Sequence, residues 1–476
     1  MRILLLAQFY PPIQGGIERN VQDLGAALAK RGHEVSVGTL WHEGLPEFEI
    51  DGDVRVYRIR GALQRISWLF TMEGRHAPPF PDLESVAALR RVISKEKPQI
   101  VHAHNWIVHS FLPLKLWSKS KLVMSLHDCE LACVQMRFMY RGLEPCSGPK
   151  FAKCMRCAID HYGLRGPVIL AGNSIFSQLQ KAQVDMFLPV STATAEANQL
   201  TNTKLPYQVI PNFVSDSVAD VDGDLDEQVA ALPENGYILQ VGALTPDKGV
   251  GVLLEAYRSL ESPPPLVLIG WNLAKSLGEL PANVKVINPL PRTAVIQAWK
   301  RSLFGTVPSL CMDASPTVTL EAMACGKPVI GSRIGGISDQ VVDGETGFLI
   351  PPGDVNALRN AMDRLIENPA LRFRMGAAAK AKVVDFQSTR VIDRIEKVYE
   401  QLLCRSHSYE ANVDKIGVAG VSFSEYETHP LASLEAISLG CSALVADSPG
   451  LRELAEQGLA KVVSLDSADE QVAEAN

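Results

Sequence analysis

The chain has 476 residues, of which 46% are hydrophobic and 21% are charged, and its formal net charge is −7. This composition is that of an ordinary globular protein with room for two or three domains, and the acidic balance argues against a nucleic-acid-binding protein. No apolar run is long enough to span a bilayer. We therefore expect a cytoplasmic protein, which could still touch a membrane surface through basic and apolar faces formed on folding.

The first half of the chain alternates apolar strands with helices. Residues 2–7 are predicted to form a strand rather than a signal peptide, because Gln8 and a pair of prolines interrupt the apolar stretch. The glycine pair Gly15-Gly16 precedes a helix predicted from about Glu18 to Arg31. Backbone amides at this turn could approach a phosphate, or the turn could simply require glycine conformations. Further strands are predicted over residues 34–37, 99–104, 121–126 and 187–191, with a strand and loop over 209–212.

A histidine follows one of these strands at its carboxyl end. In open parallel sheets, ligands bind beyond the carboxyl ends of the strands, and His127-Asp128 occupies such a position. This favours His127 as a functional residue. His102, His104 and His109 have weaker cases, because each could be a structural histidine with its hydrogen bonds satisfied inside the domain.

Residues 129–165 are predicted to form an irregular, cysteine-rich insertion. Two cysteines of this segment are separated by two residues, as in half of a zinc site, and two others could complete it. A structural zinc and a set of reduced, unliganded thiols are both open. The four cysteines are Cys133, Cys146, Cys154 and Cys157.

The second half begins after an acidic stretch, 216–235, which we interpret as a solvated linker. Strands and helices alternate again, so the sequence predicts two doubly wound α/β domains facing each other across a cleft. Lys248 follows the first strand of this block and could offer a cation to a phosphate in the cleft. Strands are predicted over 237–242, 266–270, 284–287, 328–331 and 347–350, and helices over 249–260, 293–301, 355–366 and 369–403.

The stretch from Ser309 to Pro328 is the strongest candidate for a site. Ser315 is predicted to cap a helix that starts at Pro316, which leaves the amides of Thr317 and Val318 free to bind a phosphate. Two acids flank this helix start, Asp313 before it and Glu321 within it. Carboxylates accept hydrogen bonds from hydroxyls, so the pattern indicates a ligand with both phosphates and sugar hydroxyls. The alternative is a loop acid and a solvated helical glutamate.

These motifs together resemble the group-1 family (family 4) of retaining glycosyltransferases, which have two facing Rossmann-like domains, the GT-B fold. The resemblance extends to about residue 404 and implies transfer of a sugar from a nucleotide-sugar donor, UDP- or GDP-linked, to a glycan or lipid-linked acceptor, with no metal cofactor. Bacterial surface or exported polysaccharide synthesis is a frequent role in the family. The motifs lie at residues 12–18, 127–128, 241–249, 320–328 and 344–349.

The resemblance also implies a role for each matching residue. His127 would bond the donor sugar near the reacting centre, Asp313 the sugar hydroxyls, and Glu321 the ribose. Lys248 would neutralise the leaving diphosphate, and preorganised charge of this kind stabilises a leaving group. The backbone of Gly16 would approach the diphosphate or the acceptor, and the amides of Thr317 and Val318 would bind phosphate oxygens.

Two positions depart from the family pattern. Ala243 stands where the family usually has arginine, and Asp313 where it usually has glutamate. The first change removes half of the diphosphate clamp, and the second shortens the reach of the acid by about one methylene. These departures favour, as an alternative function, a catalytically weak or inactive nucleotide-sugar-binding protein. A sugar-nucleotide epimerase of the same fold is a further alternative.

The domain boundaries follow from these assignments. We predict an N-terminal, acceptor-side domain over residues 1–205, a donor-binding domain over 206–385 and a closing helix over 386–404. Residues 405–476 repeat the motif region of the donor domain, because a shift of 114 residues aligns Glu321 with Glu435 and Asp313 with Glu427. We predict that this tail is a truncated second unit, and a regulatory or partner-binding extension is the alternative.

Overall fold

The structure of the protein is a computed structural model. It divides into two compact units, Met1–Lys397 and Val398–Asn476. From residue 405 onwards only the backbone is described. The residues described are 1–13, 15–62, 77–141, 144–221, 224–234, 236–271, 279–416, 420–422, 443–446 and 460–463.

The first domain of the larger unit is built on a seven-stranded sheet with the order β3-β4-β2-β1-β5-β6-β9. All neighbours are parallel except β3 and β4. Its central strands read as near-continuous apolar runs because helices cover both faces of such a sheet, whereas β3 and β4 at one edge alternate apolar with polar or charged residues. The strands are β1 (Arg2–Leu6), β2 (Glu34–Leu40), β3 (Phe48–Asp51), β4 (Val54–Ile59), β5 (Ile100–Ala103), β6 (Lys121–Leu126) and β9 (Met186–Pro189), and a small hairpin pairs β7 (Met139–Tyr140) with β8 (Glu144–Pro145).

Six α-helices accompany this sheet among the residues that the structure describes. The first begins two residues earlier than predicted, with Gly15 as its N-cap, and it buries Val21, Leu24 and Leu28 on one face as its periodicity indicates. The helices are α1 (Gly16–Lys30), α2 (Leu83–Glu96), α3 (Val108–Lys115), α4 (Phe151–Tyr162), α5 (Gly166–Gln183) and α6 (Thr192–Ala197).

The second domain contains a six-stranded, fully parallel sheet with the order β12-β11-β10-β13-β14-β15. Its strands are β10 (Ile238–Val241), β11 (Leu266–Ile269), β12 (Val284–Ile287), β13 (Phe304–Val307), β14 (Val329–Ser332) and β15 (Gly347–Ile350). The strands predicted from residue 237 onwards are present within about two residues, whereas residues 209–212 form no strand and β13 was not predicted. The expected architecture of two Rossmann-like domains is confirmed.

The helices of the second half differ from prediction in several places: the short helices Glu227–Ala230 and Ile337–Gln340 were not predicted, and the last helix runs on to Ile416. The single helix predicted over 369–403 is broken by a 3-10 turn at Val383–Phe386, which buries both of these residues in the core. The helices are α7 (Glu227–Ala230), α8 (Val250–Arg258), α9 (Arg292–Arg301), α10 (Thr317–Ala324), α11 (Ile337–Gln340), α12 (Val355–Glu367), α13 (Pro369–Lys382) and α14 (Ser388–Ile416). None of the helices in the described residues is long and apolar enough to cross a membrane.

Two segments predicted to be irregular are ordered. The cysteine-rich insertion contains the β7–β8 hairpin and α4, and α4 packs against α5. The acidic stretch is not a simple solvated linker, because Val218, Val229 and Leu232 are buried in the second domain. Charge pattern alone missed these apolar residues, which are spaced too widely to read as one helix or strand.

The chain passes between the two domains twice, and the two crossings bond to each other. The amide of Val214 donates to the carbonyl of Phe386 at 3.1 Å, and the amide of Ser388 donates to the carbonyl of Val214 at 2.8 Å. Asp216 then accepts a hydrogen bond from the amide of Thr389 at the start of α14 at 3.1 Å. On the first domain, Arg31 forms an ion pair with Asp393 of α14, with 2.6 Å between Nη1 and Oδ1.

The smaller unit contains three parallel strands in chain order, β16 (Gly420–Ser422), β17 (Ala443–Ala446) and β18 (Ala460–Val463). The two acids assigned to the tail repeat, Glu427 and Glu435, lie outside the described residues.

Candidate functional site

Two adjoining cavities lie where the carboxyl ends of strands from both domains meet. The first has a volume of about 350 Å³ and is lined by His127, Lys248 and Asp313 among others. The second has a volume of about 390 Å³ and contains Glu321. Both are bordered by one shared set of residues, so a single elongated ligand could occupy them together. The shared residues are Gly16, Val241, Gly242, Ala243, Thr317 and Val318.

The start of α10 lies on this shared border. The helix begins at Thr317 with Pro316 as its N-cap, so the predicted cap at Ser315 is wrong. The Ser315 hydroxyl instead accepts a hydrogen bond from Gln340 Nε2 at 3.2 Å, which draws it away from the helix. Thr317 and Val318 remain the first helical residues, and their amides have no carbonyl partner within the helix. The phosphate-binding potential predicted for them is therefore retained.

Lys248 and Asp313 meet in the first cavity. Lys248 follows β10 in a short 3-10 turn, and its ammonium group donates a hydrogen bond to Asp313 Oδ1. Burial lowers the pKa of Lys248, but the negative charge of Asp313 more than offsets it, so the net shift is upward. The hydroxyl of Ser309 donates to the other oxygen of Asp313 at 2.5 Å. The cation is thus fixed in its charged form at the wall of the cavity.

His127 is the contribution of the first domain to this cavity. It follows β6, and its Nε2 lies 3.0 Å from Nδ1 of the buried His104. Burial lowers the pKa of His127 to about 4, partly opposed by Asn212 beside it. The ring is therefore neutral at physiological pH. The Asn212 side chain also donates to the carbonyl of Ser315 at 2.9 Å, and so connects the histidine to the loop before α10.

Glu321 lies in the second cavity on the inner face of α10, and only 7% of its side chain is exposed. Burial raises its pKa, and the charge of Arg292 opposes this rise. Arg292 Nε is 3.7 Å from Glu321 Oε1, and Arg292 Nη1 is 3.0 Å from Asp23 Oδ2 in α1. The glutamate is not the solvated residue of the alternative interpretation. It is a buried acceptor held by a cation that also reaches the other domain.

Ala243 follows β10 on the border between the two cavities. Its methyl group offers no charge at the place where the family usually has arginine. Ala243 thus lines the candidate site.

The site also contains Arg292, Asp23 and Asn212, which the sequence did not single out, and His104, for which it gave only a weaker case. Arg292 and Asp23 bridge the two domains, and Asn212 and His104 position His127. The only sequence signal for His104 was its place near the end of β5, the strand beside β6. Arg292 and Asn212 gave no signal, because each comes from a loop or helix start far from the motifs.

The cysteine-rich insertion does not support the predicted zinc site. Four cysteines line one cavity of about 300 Å³. However, no three Cys, His, Asp or Glu side chains among the described residues are grouped so that they could hold a metal ion. Cys157 Sγ instead accepts a hydrogen bond from Gln135 Nε2 at 3.1 Å, and Cys146 Sγ donates to the carbonyl of Gly148 at 3.6 Å. The cysteines in the described part of the chain are free thiols.

Comparison with known proteins covers both domains. The family model described as glycosyl transferases group 1 matches residues 223–382, and that described as glycosyltransferase family 4 matches residues 14–218. An uncharacterized glycosyltransferase of Methanocaldococcus jannaschii, MJ1178, is 31% identical over 43% of this chain, and the match spans 57% of that relative. The N-acetyl-alpha-D-glucosaminyl L-malate synthase of Bacillus anthracis is 22% identical over 85% of this chain and 98% of its own.

Solved structures share the two-domain fold. Sucrose-phosphate synthase from Thermosynechococcus elongatus superposes with a TM-score of 0.65 at 20% identity, over 85% of this chain and 99% of its own. The Anabaena protein HepE, solved in complex with UDP-glucose, superposes with a TM-score of 0.59 at 18% identity, over 84% and 99% of the two chains. At these identities the likeness establishes the fold alone.

Proposed function

The chain belongs to the group-1, family 4 glycosyltransferases, and on this premise we propose that it transfers a sugar with retention of anomeric configuration. The donor is a nucleotide sugar, UDP- or GDP-linked, and the acceptor is a glycan or a lipid-linked glycan. The observation that carries the proposal is the pair of adjoining cavities with the start of α10 between them.

The chemistry of each cavity matches one part of such a donor. Glu321 in the second cavity accepts hydrogen bonds from the ribose hydroxyls. The amides of Thr317 and Val318 on the shared border hold phosphate oxygens, with the backbone of Gly16 opposite. His127 and Asp313 in the first cavity bond the sugar. The reacting carbon then lies between the diphosphate and the side chain of His127.

Bond cleavage places negative charge on the leaving diphosphate. Lys248 is already charged and held in place by Asp313, so no reorganisation is needed when that charge develops. The helix amides add partial positive charge in the same place. We assign the stabilisation of the leaving group to these groups. UDP-glucose bound to the structural relative HepE is the precedent for a nucleotide-sugar donor.

A nucleotide-sugar-binding protein with little or no turnover is the second candidate function. The observation that favours it is Ala243, which leaves the border between the cavities without the arginine usual in the family. An epimerase would isomerise the donor with no acceptor present, so one experiment separates all three functions.

The test is a donor screen with the full chain. A panel of nucleotide sugars is incubated with candidate acceptors, and nucleoside diphosphate release is measured beside product analysis. Release with one donor, lost in Lys248→Ala and Glu321→Ala but kept in Lys380→Ala, supports transfer, because Lys380 is exposed on α13. Tight donor binding without release identifies a binding protein, and an isomerised donor identifies an epimerase. The absence of any donor binding would refute the proposal.

The proposed acceptor chemistry, in surface or exported polysaccharide synthesis, includes peripheral contact with the cytoplasmic face of a membrane. An exposed apolar stripe on the α4–α5 hairpin supports this contact: Leu164 is 98% exposed, Val168 63% and Ile175 64%. Val168 and Ile175 lie seven residues apart on one face of α5, and Leu164 lies in the 3-10 turn that precedes this helix. The surrounding basic residues suit an anionic lipid surface. Five basic residues and one acidic residue, Asp160, occur between 150 and 183; the basic ones are Lys150, Lys153, Arg156, Arg165 and Lys181.

Vesicle co-sedimentation tests this contact. The chain should sediment with phosphatidylglycerol-containing vesicles more than with phosphatidylcholine vesicles. Replacement of Leu164, Val168 and Ile175 by serine should abolish the difference. The matched control is Phe373→Ser on α13, an equally exposed apolar residue in the second domain. Equal sedimentation of the triple variant and wild type would contradict the assignment.

A further inference from the structure

We propose that Arg19 binds the donor diphosphate and so replaces the arginine that the chain lacks at residue 243. The inference rests on the proposed function and deepens it. It assigns a residue from the opposite wall of the cleft to the phosphate site.

Arg19 lies in the first turn of α1, directly after the glycine pair. It is half-buried and lines the second cavity together with Ala243, Thr317, Val318 and Glu321. Thr317, Val318 and Ala243 also form the border with the first cavity. Arg19 therefore lines the same cavity as the border residues against which we place the diphosphate.

Among the described residues, Arg19 is also the Lys or Arg side chain of the site that forms no ion pair. Among the described residues, three basic side chains line the two cavities. Lys248 is paired with Asp313, and Arg292 lies 3.0 Å from Asp23 and 3.7 Å from Glu321. Arg19 makes no side-chain hydrogen bond or ion pair with any residue in the described ranges. A half-buried guanidinium without a protein partner is suited to an anionic ligand.

The positive charge of Arg19 acts on the carboxylate of Glu321 in the second cavity. Burial raises the pKa of Glu321, and the positive charges of Arg292 and then Arg19 oppose this rise. The guanidinium is thus close enough to the ribose end of the site to act on its carboxylate. A diphosphate attached to that ribose would lie within the same field.

An arginine at position 19 instead of 243 would change which domains hold the diphosphate. A planar guanidinium can bond two phosphate oxygens at once, and it does so equally well from either wall. In the usual family pattern the arginine and the lysine of the clamp both follow the first strand of the second domain. In this chain the diphosphate would be held by Lys248 from the second domain and by Arg19 from the first. The donor itself would then link the two domains.

The first experiment measures the dissociation constants of UDP and GDP for the full chain by calorimetry, with uridine and guanosine as probes that lack the diphosphate. Arg19→Ala should weaken binding of the preferred diphosphate by about tenfold to a hundredfold, which is the typical effect of losing hydrogen bonds to a charged group. Binding of the nucleoside should change by no more than about twofold. Arg19→Lys should fall between wild type and Arg19→Ala. Lys30→Ala, an exposed cation of the same helix, is the matched control.

The second experiment restores the charge on the other wall. The double variant Arg19→Ala/Ala243→Arg should regain at least about tenfold of the lost affinity for the diphosphate. Far-ultraviolet circular dichroism checks that each variant is folded. If Arg19→Ala does not fold, Arg19→Lys and Ala243→Arg in the Arg19→Lys background provide the same comparison.

The outcomes separate this inference from the function on which it rests. If wild type binds neither diphosphate, the proposed function fails and this inference fails with it. If wild type binds one and Arg19→Ala binds it equally well, only the inference is overturned. Equal losses for the diphosphate and the nucleoside would overturn it too, because Arg19 would then act through Glu321. A folded double variant without recovery would show that the two positions do not serve the same phosphate group.

Discussion

The two cavities differ in where their charges come from. In the first, the charged residues Lys248 and Asp313 both belong to the second domain, and the first domain supplies the neutral His127. In the second, α1 contributes Arg19 and Asp23, and the second domain contributes Arg292 and Glu321. A one-sided charge leaves a neutral wall against which a sugar can lie. A two-sided charge ties the domains together around a ligand.

The largest effect should come from removing the cation of the first cavity. Lys248→Ala leaves Asp313 beside the leaving group without its partner and takes away preorganised positive charge. We expect the rate of transfer to fall about a thousandfold. Steady-state assays of nucleoside diphosphate release measure the change, with Lys380→Ala as the control. A loss of less than about tenfold would mean that the charge of the first cavity is not used in the reaction.

Loss of the neutral His127 on the first-domain side of the first cavity should reduce turnover rather than donor nucleotide binding. His127→Ala should lower kcat about a hundredfold, while the affinity for UDP or GDP changes little, because the ring lies on the sugar side of the site. Since the pKa of His127 is lowered to about 4, the ring stays neutral above that value. Activity should therefore show no His127 titration between pH 6 and 8, and should fall as pH drops through about 4.

His161→Ala is the matched control for this variant, because His161 is exposed on α4 and lines neither cavity. A titration near pH 6.5 that disappears in His127→Ala would contradict the neutral wall, since it would show that the histidine has an ordinary pKa.

The distinction between the two cavities was only partly accessible from the sequence. The phosphate-binding helix start and the acids around it follow from local pattern, because a proline, two free amides and two carboxylates occur within a few residues. Most of the buried parallel strands were located from their near-continuous apolar runs. The edge strands β3 and β4 and the short strand β13 were not predicted, and the strand predicted over 209–212 is not formed. Arg292 and Asn212 could not be found, because their roles depend on distant contacts: Asp23 is 269 residues from Arg292, and Ser315 is 103 residues from Asn212.

Errors in local structure have similar causes. The prediction of Ser315 as the helix cap was wrong: its hydroxyl accepts a hydrogen bond from the side chain of Gln340, 25 residues away in the chain. The insertion was predicted as irregular because cysteines obscured the amphipathic pattern of α4. The tail repeat stays a prediction, and the backbone supports it: β16, β17 and β18 have the same parallel order as β13, β14 and β15, and β17 begins 114 residues after β14.

A smaller effect is expected from the acid of the second cavity. Glu321→Gln should weaken nucleoside diphosphate binding by about tenfold, because it replaces charged acceptors of ribose hydroxyl hydrogen bonds by a neutral amide. The sharper comparison uses 2′-deoxy-UDP or 2′-deoxy-GDP. Wild type should bind the deoxy analogue less tightly than the ribonucleotide, and Glu321→Gln should distinguish the two much less. Undiminished discrimination in the variant would place the ribose elsewhere.

The smallest effect is on stability, and it has the opposite sign. Since burial raises the pKa of folded Glu321 above its unfolded value, the ionised carboxylate opposes folding at neutral pH. Glu321→Gln should therefore raise the free energy of unfolding at pH 7, by about 1.4 kcal/mol for each unit by which the pKa is raised. The gain should shrink as pH falls through the folded pKa and vanish below the unfolded one. Denaturant titrations at several pH values measure it, with Glu367→Gln, exposed at the end of α12, as the control.

A gain in stability together with weaker ligand binding would mean that this carboxylate is kept ionised for the ligand at the expense of the fold. If the variant is instead less stable at pH 7, the ion pairs through Arg292 outweigh the burial of the charge, and the second cavity holds the domains together without a ligand.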